Sequence, residues 1–255
     1  AQGAYSVVVD NGAGATAYGY GGYYGFGIYA TGGAGGATIT NAGQAIGLAQ
    51  LYGFGIYAES GGNTSVVNDA SGLVVGGDIN NTALGTGIHA GTCAIDGLAS
   101  VDNAGTVNAA GYYGATGIEA IALSPGGMAS VSNSGLVTAS QYTKYGVGAA
   151  GILALGDGSA NIDNLYGGSI EVTSGGLAYG ALAISLAGDA TVTNAGDISA
   201  ISTDSALYYG SYGIVAVAGY GNASVVNTGN VYAASQYAGG YRAIGILADG
   251  NLAAS

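Results

Sequence analysis

Hydrophobic residues alternate with small or polar ones at period two in short bursts, and the bursts come back along the whole chain. The clearest copies are Ala99-Ser-Val-Asp-Asn-Ala-Gly-Thr-Val-Asn-Ala109, Ala129-Ser-Val-Ser-Asn-Ser-Gly-Leu-Val-Thr-Ala139, Ala190-Thr-Val-Thr-Asn-Ala-Gly-Asp-Ile-Ser-Ala200 and Ala223-Ser-Val-Val-Asn-Thr-Gly-Asn-Val-Tyr-Ala233. Looser copies centre on Asn11, Asn41, Asn68 and Asn164. Alternation of this kind places one face of a strand inward. The Asn-x-Gly between the two halves reads as a corner, where Gly is expected to supply a positive φ and Asn to bond the local backbone. The eight central asparagines are 30, 27, 35, 30, 31, 30 and 33 residues apart. A single hairpin would not recur at that period, whereas a stacked repeat architecture would.

A second pattern runs in phase with the first. It reads Gly27-Ile28-Tyr29-Ala30, Gly55-Ile56-Tyr57-Ala58, Gly87-Ile88-His89-Ala90, Gly117-Ile118-Glu119-Ala120, Gly151-Ile152-Leu153-Ala154, Gly213-Ile214-Val215-Ala216 and Gly245-Ile246-Leu247-Ala248, with a degraded copy at Ala181-Leu182-Ala183. Each turn of the repeat therefore predicts three short strands: Gly-Ile-x-Ala, then Ala-x-Val-x-Asn, then Gly-x-Val/Ile-x-Ala. Three strands per turn, with turns about 4.8 Å apart, make an all-β parallel β-solenoid, and eight turns make a rod of roughly 38 Å. Residues 1–255 are expected to form one repeat domain. Ile28, Ile56, Ile88, Ile118, Ile152, Ile214 and Ile246 should stack as one core column, with Val101, Val131, Val192 and Val225 beside it. Asn11, Asn41, Asn68, Asn103, Asn133, Asn164, Asn194 and Asn227 should form a structural ladder of side-chain amides.

Composition sharpens this picture. Only 6% of the residues are charged, 53 are glycine and the net charge is −12. Small residues suit a tightly wound solenoid, and the lack of a Gly-X-Y triplet excludes collagen. With two basic residues in all, nucleic acid and anionic membrane surfaces are unsuitable partners. No apolar run reaches the 18 or so residues of a membrane-spanning helix, so membrane insertion is not expected. Ala1-Gln-Gly-Ala reads as the start of a mature, exported chain. Lone Cys93 has no internal partner and reads as an inert small residue.

Candidate chemistry is sparse. The single histidine, His89, occupies a position that elsewhere holds Tyr29, Glu119 or Leu153, which is the profile of ordinary surface packing. No His, Cys and carboxylate set has metal-ligand spacing. No nine-residue Gly-Gly-x-Gly-x-Asp repeat is present for calcium, and a regular Thr-x-Thr face for ice is confined to Thr38-Ile-Thr40 and Thr191-Val-Thr193. No catalytic residue, cofactor or metal is therefore assigned, and no enzyme activity is expected. Tyrosines gather before the Gly-Ile pattern: Tyr24, Tyr52, Tyr113, Tyr145, Tyr179, Tyr209, Tyr212 and Tyr241 are expected to line one loop edge of the rod. They either cover that corner or form a contact strip for carbohydrate or another cell.

The in-phase Val-x-Asn-x-Gly-x-Val/Ile and Gly-Ile-x-Ala patterns, from about Tyr5 to Gly250, resemble the passenger repeats of bacterial autotransporters and related large surface adhesins. That resemblance implies a right-handed β-helix of about eight turns of roughly 31 residues, located outside the cell or on the bacterial outer surface, with an adhesive, aggregative or structural role.

The chain opens on an asparagine-strand pattern and closes just after a Gly-Ile pattern. These are complementary parts of one turn, so head-to-tail self-association into a filament is expected, strengthening with salt because like-charged subunits repel. The main expectation is a non-enzymatic structural solenoid, as a filament or cell-surface stalk. The alternative is an adhesin module that uses the tyrosine edge.

Overall fold

The computed structural model describes residues 5–143, 145–203, 210–236 and 242–250. Among them are twenty-four strands and no helix. The first turn consists of Val7–Asn11, Thr16–Gly21 and Tyr24–Gly32. The last consists of Ala223–Asn227, Asn230–Ser235 and Ala243–Gly250. Each strand pairs in parallel with its counterparts one turn before and one turn after, giving three eight-stranded sheets. We call them the asparagine sheet, the middle sheet and the Gly-Ile sheet, in the order in which each turn visits them. The protein is a three-sided parallel β-solenoid of eight turns.

The stacking follows the sequence repeat residue for residue. Val101 pairs with Val131 and Asn103 with Asn133 on the asparagine sheet, Val107 with Val137 on the middle sheet, and Ile118 with Ile152 on the Gly-Ile sheet. The inward side chains of all three sheets meet in one continuous core, in which Ile39, Val66, Val74, Val131, Val137, Ile118 and Ile152 are wholly buried. Ala181 takes the place of isoleucine between Ile152 and Ile214. Ile246, expected in the same column, is 43% exposed. It lies on the last described rung and packs against Ile214 on one side only.

The corner glycines have a different cause from the expected one. Positive φ occurs at Gly14, Gly36, Gly77, Gly126, Gly148 and Gly167 and at no Asn-x-Gly corner glycine among the described residues. What excludes a side chain at the corner is proximity of the next turn: a Cβ on Gly135 would lie 2.0 Å from the Gly105 carbonyl oxygen. Gly117 is constrained from two sides, since a Cβ there would lie 2.4 Å from both the Val137 Cγ1 and the Gly151 carbonyl oxygen. Gly135→Ala must push two turns apart and is expected to cost about 3 kcal/mol. An unchanged denaturation midpoint in that variant would contradict the close-approach explanation.

Candidate functional site

The asparagines hold the turns together. Asn41, Asn68, Asn103, Asn133, Asn164 and Asn194 are buried. Each Nδ2 donates to the Oδ1 of the next asparagine at 2.7–2.8 Å, from Asn11 through Asn41, Asn68, Asn103, Asn133, Asn164 and Asn194 to Asn227. The second N–H of Asn133 reaches the Gly135 carbonyl at 3.2 Å, and Asn103, Asn194 and Asn227 make the equivalent bond. The backbone carbonyl of Asn103 accepts in turn from Ser134 and Gly135 of the following corner. The side-chain oxygen and nitrogen of each buried asparagine are thereby matched to the repeat.

The chemically distinctive surface is the outer face of the Gly-Ile sheet. In Tyr24–Gly32 and Tyr52–Ser60, the sequence Tyr-Gly-Phe-Gly-Ile-Tyr puts aromatic rings outward and glycine or isoleucine inward. The pairing skips Gly27 and Gly55. This glycine, present on both strands and unpaired on each, shifts the alternation, so that Phe54 and Tyr57, three residues apart, both face out. Their rings meet edge to face at 5.2 Å and 81°.

Stacking of the turns converts these residues into columns of rings. Phe26 lies on Phe54 at 5.3 Å, Tyr29 on Tyr57 at 5.5 Å and Tyr57 on His89 at 4.7 Å, each pair within 13° of parallel. Tyr24 lies on Tyr52 at 5.2 Å and 13°, and the Tyr24 and Phe26 rings, with centroids 6.0 Å apart, are parallel within 5°. The centroid spacings are close to the rise of one turn, as in-register stacking of the turns requires. His89 Nδ1 is 3.1 Å from Glu119 Oε2, and both side chains are mostly buried. The Tyr57 hydroxyl donates to Glu59 at 2.6 Å. Burial, and then that hydrogen bond to the Glu59 carboxylate, hold the Tyr57 phenol well above its usual pKa.

The aromatic columns stop in the middle of the sheet. The register of the Phe26–Phe54 column continues as Thr86, Thr116 and Ala150 before aromatic residues resume at Tyr179 and Tyr212. Tyr179 and Tyr212 stack at 5.1 Å and 16°, and burial, followed by the neighbouring Tyr212, raises the Tyr179 pKa. Between the two aromatic blocks is a groove of about 380 Å³, whose lining includes Tyr52, Phe54, Thr86, His89, Thr116, Glu119, Ala150 and Tyr179.

The tyrosines thus do not form the single loop edge expected from their spacing. Tyr24, Tyr52, Tyr179 and Tyr212 are strand residues on the Gly-Ile face. Tyr113 and Tyr145 lie in the corner that precedes it, Tyr113 edge to face with Tyr112 at 4.8 Å. Tyr209 and Tyr241 lie outside the described residues. Flanking glycines make Tyr-Gly-Phe-Gly look like a loop in sequence, whereas here the glycines are the inward positions of a strand. Phe26, Phe54, Thr86 and Thr116 were missed by sequence reasoning. Their signal is the gap of three between outward aromatics, Phe26 to Tyr29 and Phe54 to Tyr57.

Among the described residues, no group of three or more His, Cys, Asp or Glu side chains is arranged to hold a metal ion. No family model, curated protein or solved structure compared with the chain matches it. Fold and site together define a class of molecule, the β-solenoid rod with stacked aromatic rings on the Gly-Ile sheet.

Proposed function

We propose that this chain is a non-enzymatic structural solenoid, exported and right-handed like the passenger repeats it resembles, that acts as a stiff stalk or filament segment outside the cell. The observation that supports this reading is the uninterrupted asparagine ladder, in which seven side-chain hydrogen bonds tie eight turns into one rod. A rod of this construction adds length by adding turns, each stabilised by its neighbours. In the isolated chain the strands Val7–Asn11 and Ala223–Asn227 each pair on one side only. Further turns, or further copies, extend the stack through the same edges.

Electron microscopy and sedimentation of the isolated chain test this. Rods about 38 Å long, or multiples of that length, are expected, lengthening as salt screens the net charge of −12. Compact particles that are strictly monomeric at every concentration and salt level would overturn the filament part of the reading. The second reading, an adhesin module, is favoured by one observation: a ring-lined groove on the Gly-Ile sheet.

A further inference from the structure

We propose that the groove on the Gly-Ile sheet is a binding site for a short neutral saccharide, about two residues long, seated on the Tyr52–Phe54 shelf; this rests on the second, ligand-binding reading above. The shelf follows from the interrupted columns. The ring planes of Tyr24 and Phe26 are parallel within 5°, and those of Tyr52 and Phe54 are each within 13° of parallel to the ring beneath them. Tyr52 and Phe54 therefore present two outward rings, roughly parallel to each other, on the same side of one strand. On the side away from Tyr24 and Phe26, the register places Leu84 after Tyr52 and Thr86 after Phe54. No aromatic ring of the same columns covers that surface. The next ring in the Phe54 column is Tyr179, four turns on, or about 19 Å along the axis.

The chemistry of the groove selects among ligands. Flat rings attract a ligand that presents a face of C–H groups. The hydroxyls of Thr86 and Thr116 and the carboxylate of Glu119, all lining the groove, require a ligand whose edge carries donors and acceptors. An acyl chain would strip these groups of water and leave them unpaired. An anion would meet Glu119 with no Lys or Arg in the lining, on a chain of net charge −12. A pyranose satisfies both demands, with an apolar C–H face and a rim of hydroxyls. The volume, about 380 Å³, falls in the range of small-molecule sites. The pair at 3.1 Å between His89 Nδ1 and Glu119 Oε2 fixes one carboxylate oxygen and leaves the other to accept from a sugar hydroxyl.

The test uses the intact chain, saturation-transfer NMR and titration calorimetry. The probes are a panel of neutral di- and trisaccharides of gluco, galacto, manno and N-acetylated configuration, with sialyllactose as anionic probe and choline as cationic probe. At least one neutral saccharide is expected to bind. Thr86→Tyr continues the Phe54 column by one ring and covers the shelf without touching the core, and is expected to weaken binding at least tenfold. Glu119→Gln is expected to weaken it several-fold. Melting followed by circular dichroism confirms that each variant is folded. If no neutral saccharide binds, or if choline or sialyllactose binds in preference, the proposal and the carbohydrate-binding reading fall together. If neutral saccharides bind equally well to Thr86→Tyr, ligand binding stands and this site falls. None of these outcomes bears on the rod, whose test is its shape and length.

Discussion

Val131→Asp is expected to disrupt the middle of the rod, at a cost of at least about 4 kcal/mol. Val131 is wholly buried and pairs with Val101 below and Ile162 above. An aspartate there must either stay ionised in an apolar column or take up a proton, and both are unfavourable. Because each turn contacts mainly its neighbours, the lesion acts on its own turn and on two interfaces. A thermal melt followed by far-ultraviolet circular dichroism should therefore show a large fall in midpoint, or a split into two transitions for the flanking blocks of turns. The same substitution at Val8, which is 74% exposed on the outer face of the same sheet, should leave the melt within about 0.5 kcal/mol of the parent. Equal behaviour of the two variants would mean that the inward face has been misassigned.

Asn133→Ala is expected to cost about 3–5 kcal/mol, almost entirely through what it leaves behind. The Asn103 Nδ2 loses its acceptor and the Asn164 Oδ1 loses its donor. Both groups are buried, and each buried orphan costs about 1–3 kcal/mol. The Gly135 carbonyl loses its side-chain donor as well. Asn227→Ala, at the exposed end of the ladder, removes the bond from Asn194 and the exposed one to the Gly229 carbonyl and should cost about 1 kcal/mol. Urea denaturation of the two variants measures the difference. If the interior variant were no more costly than the terminal one, the asparagines would be ornament on a fold held by its apolar core alone.

Much of this architecture was legible because a repeat states its own register. Once Asn103, Asn133 and Asn164 were read as equivalent, the alignment of Val101 on Val131 and of Ile118 on Ile152 followed without further information. The ladder was legible for the same reason, since identical amides one turn apart fall within hydrogen-bonding distance in any parallel, in-register stack. Reading the corner glycines went astray on mechanism. Turn chemistry suggested positive φ, but neighbouring turns approach so closely that a Cβ on Gly135 would lie 2.0 Å from the Gly105 carbonyl oxygen.

What the sequence by itself determined is the period, the three strands per turn and the identity of the inward residues, because alternation at period two and recurrence at about 30 residues are properties of the one-dimensional pattern. What only the tertiary structure decided is the outer surface. The unpaired position at Gly55 changes which side chains face out, and so turns Phe54 and Tyr57 into neighbours in contact. The groove exists because the aromatic columns break off at Thr86 and resume at Tyr179, a gap visible only when five turns are laid in register. Inward positions are held to a pattern by packing, whereas outward positions are free to vary from turn to turn. Their meaning comes from neighbours about 30 residues away in sequence and about 5 Å away in space.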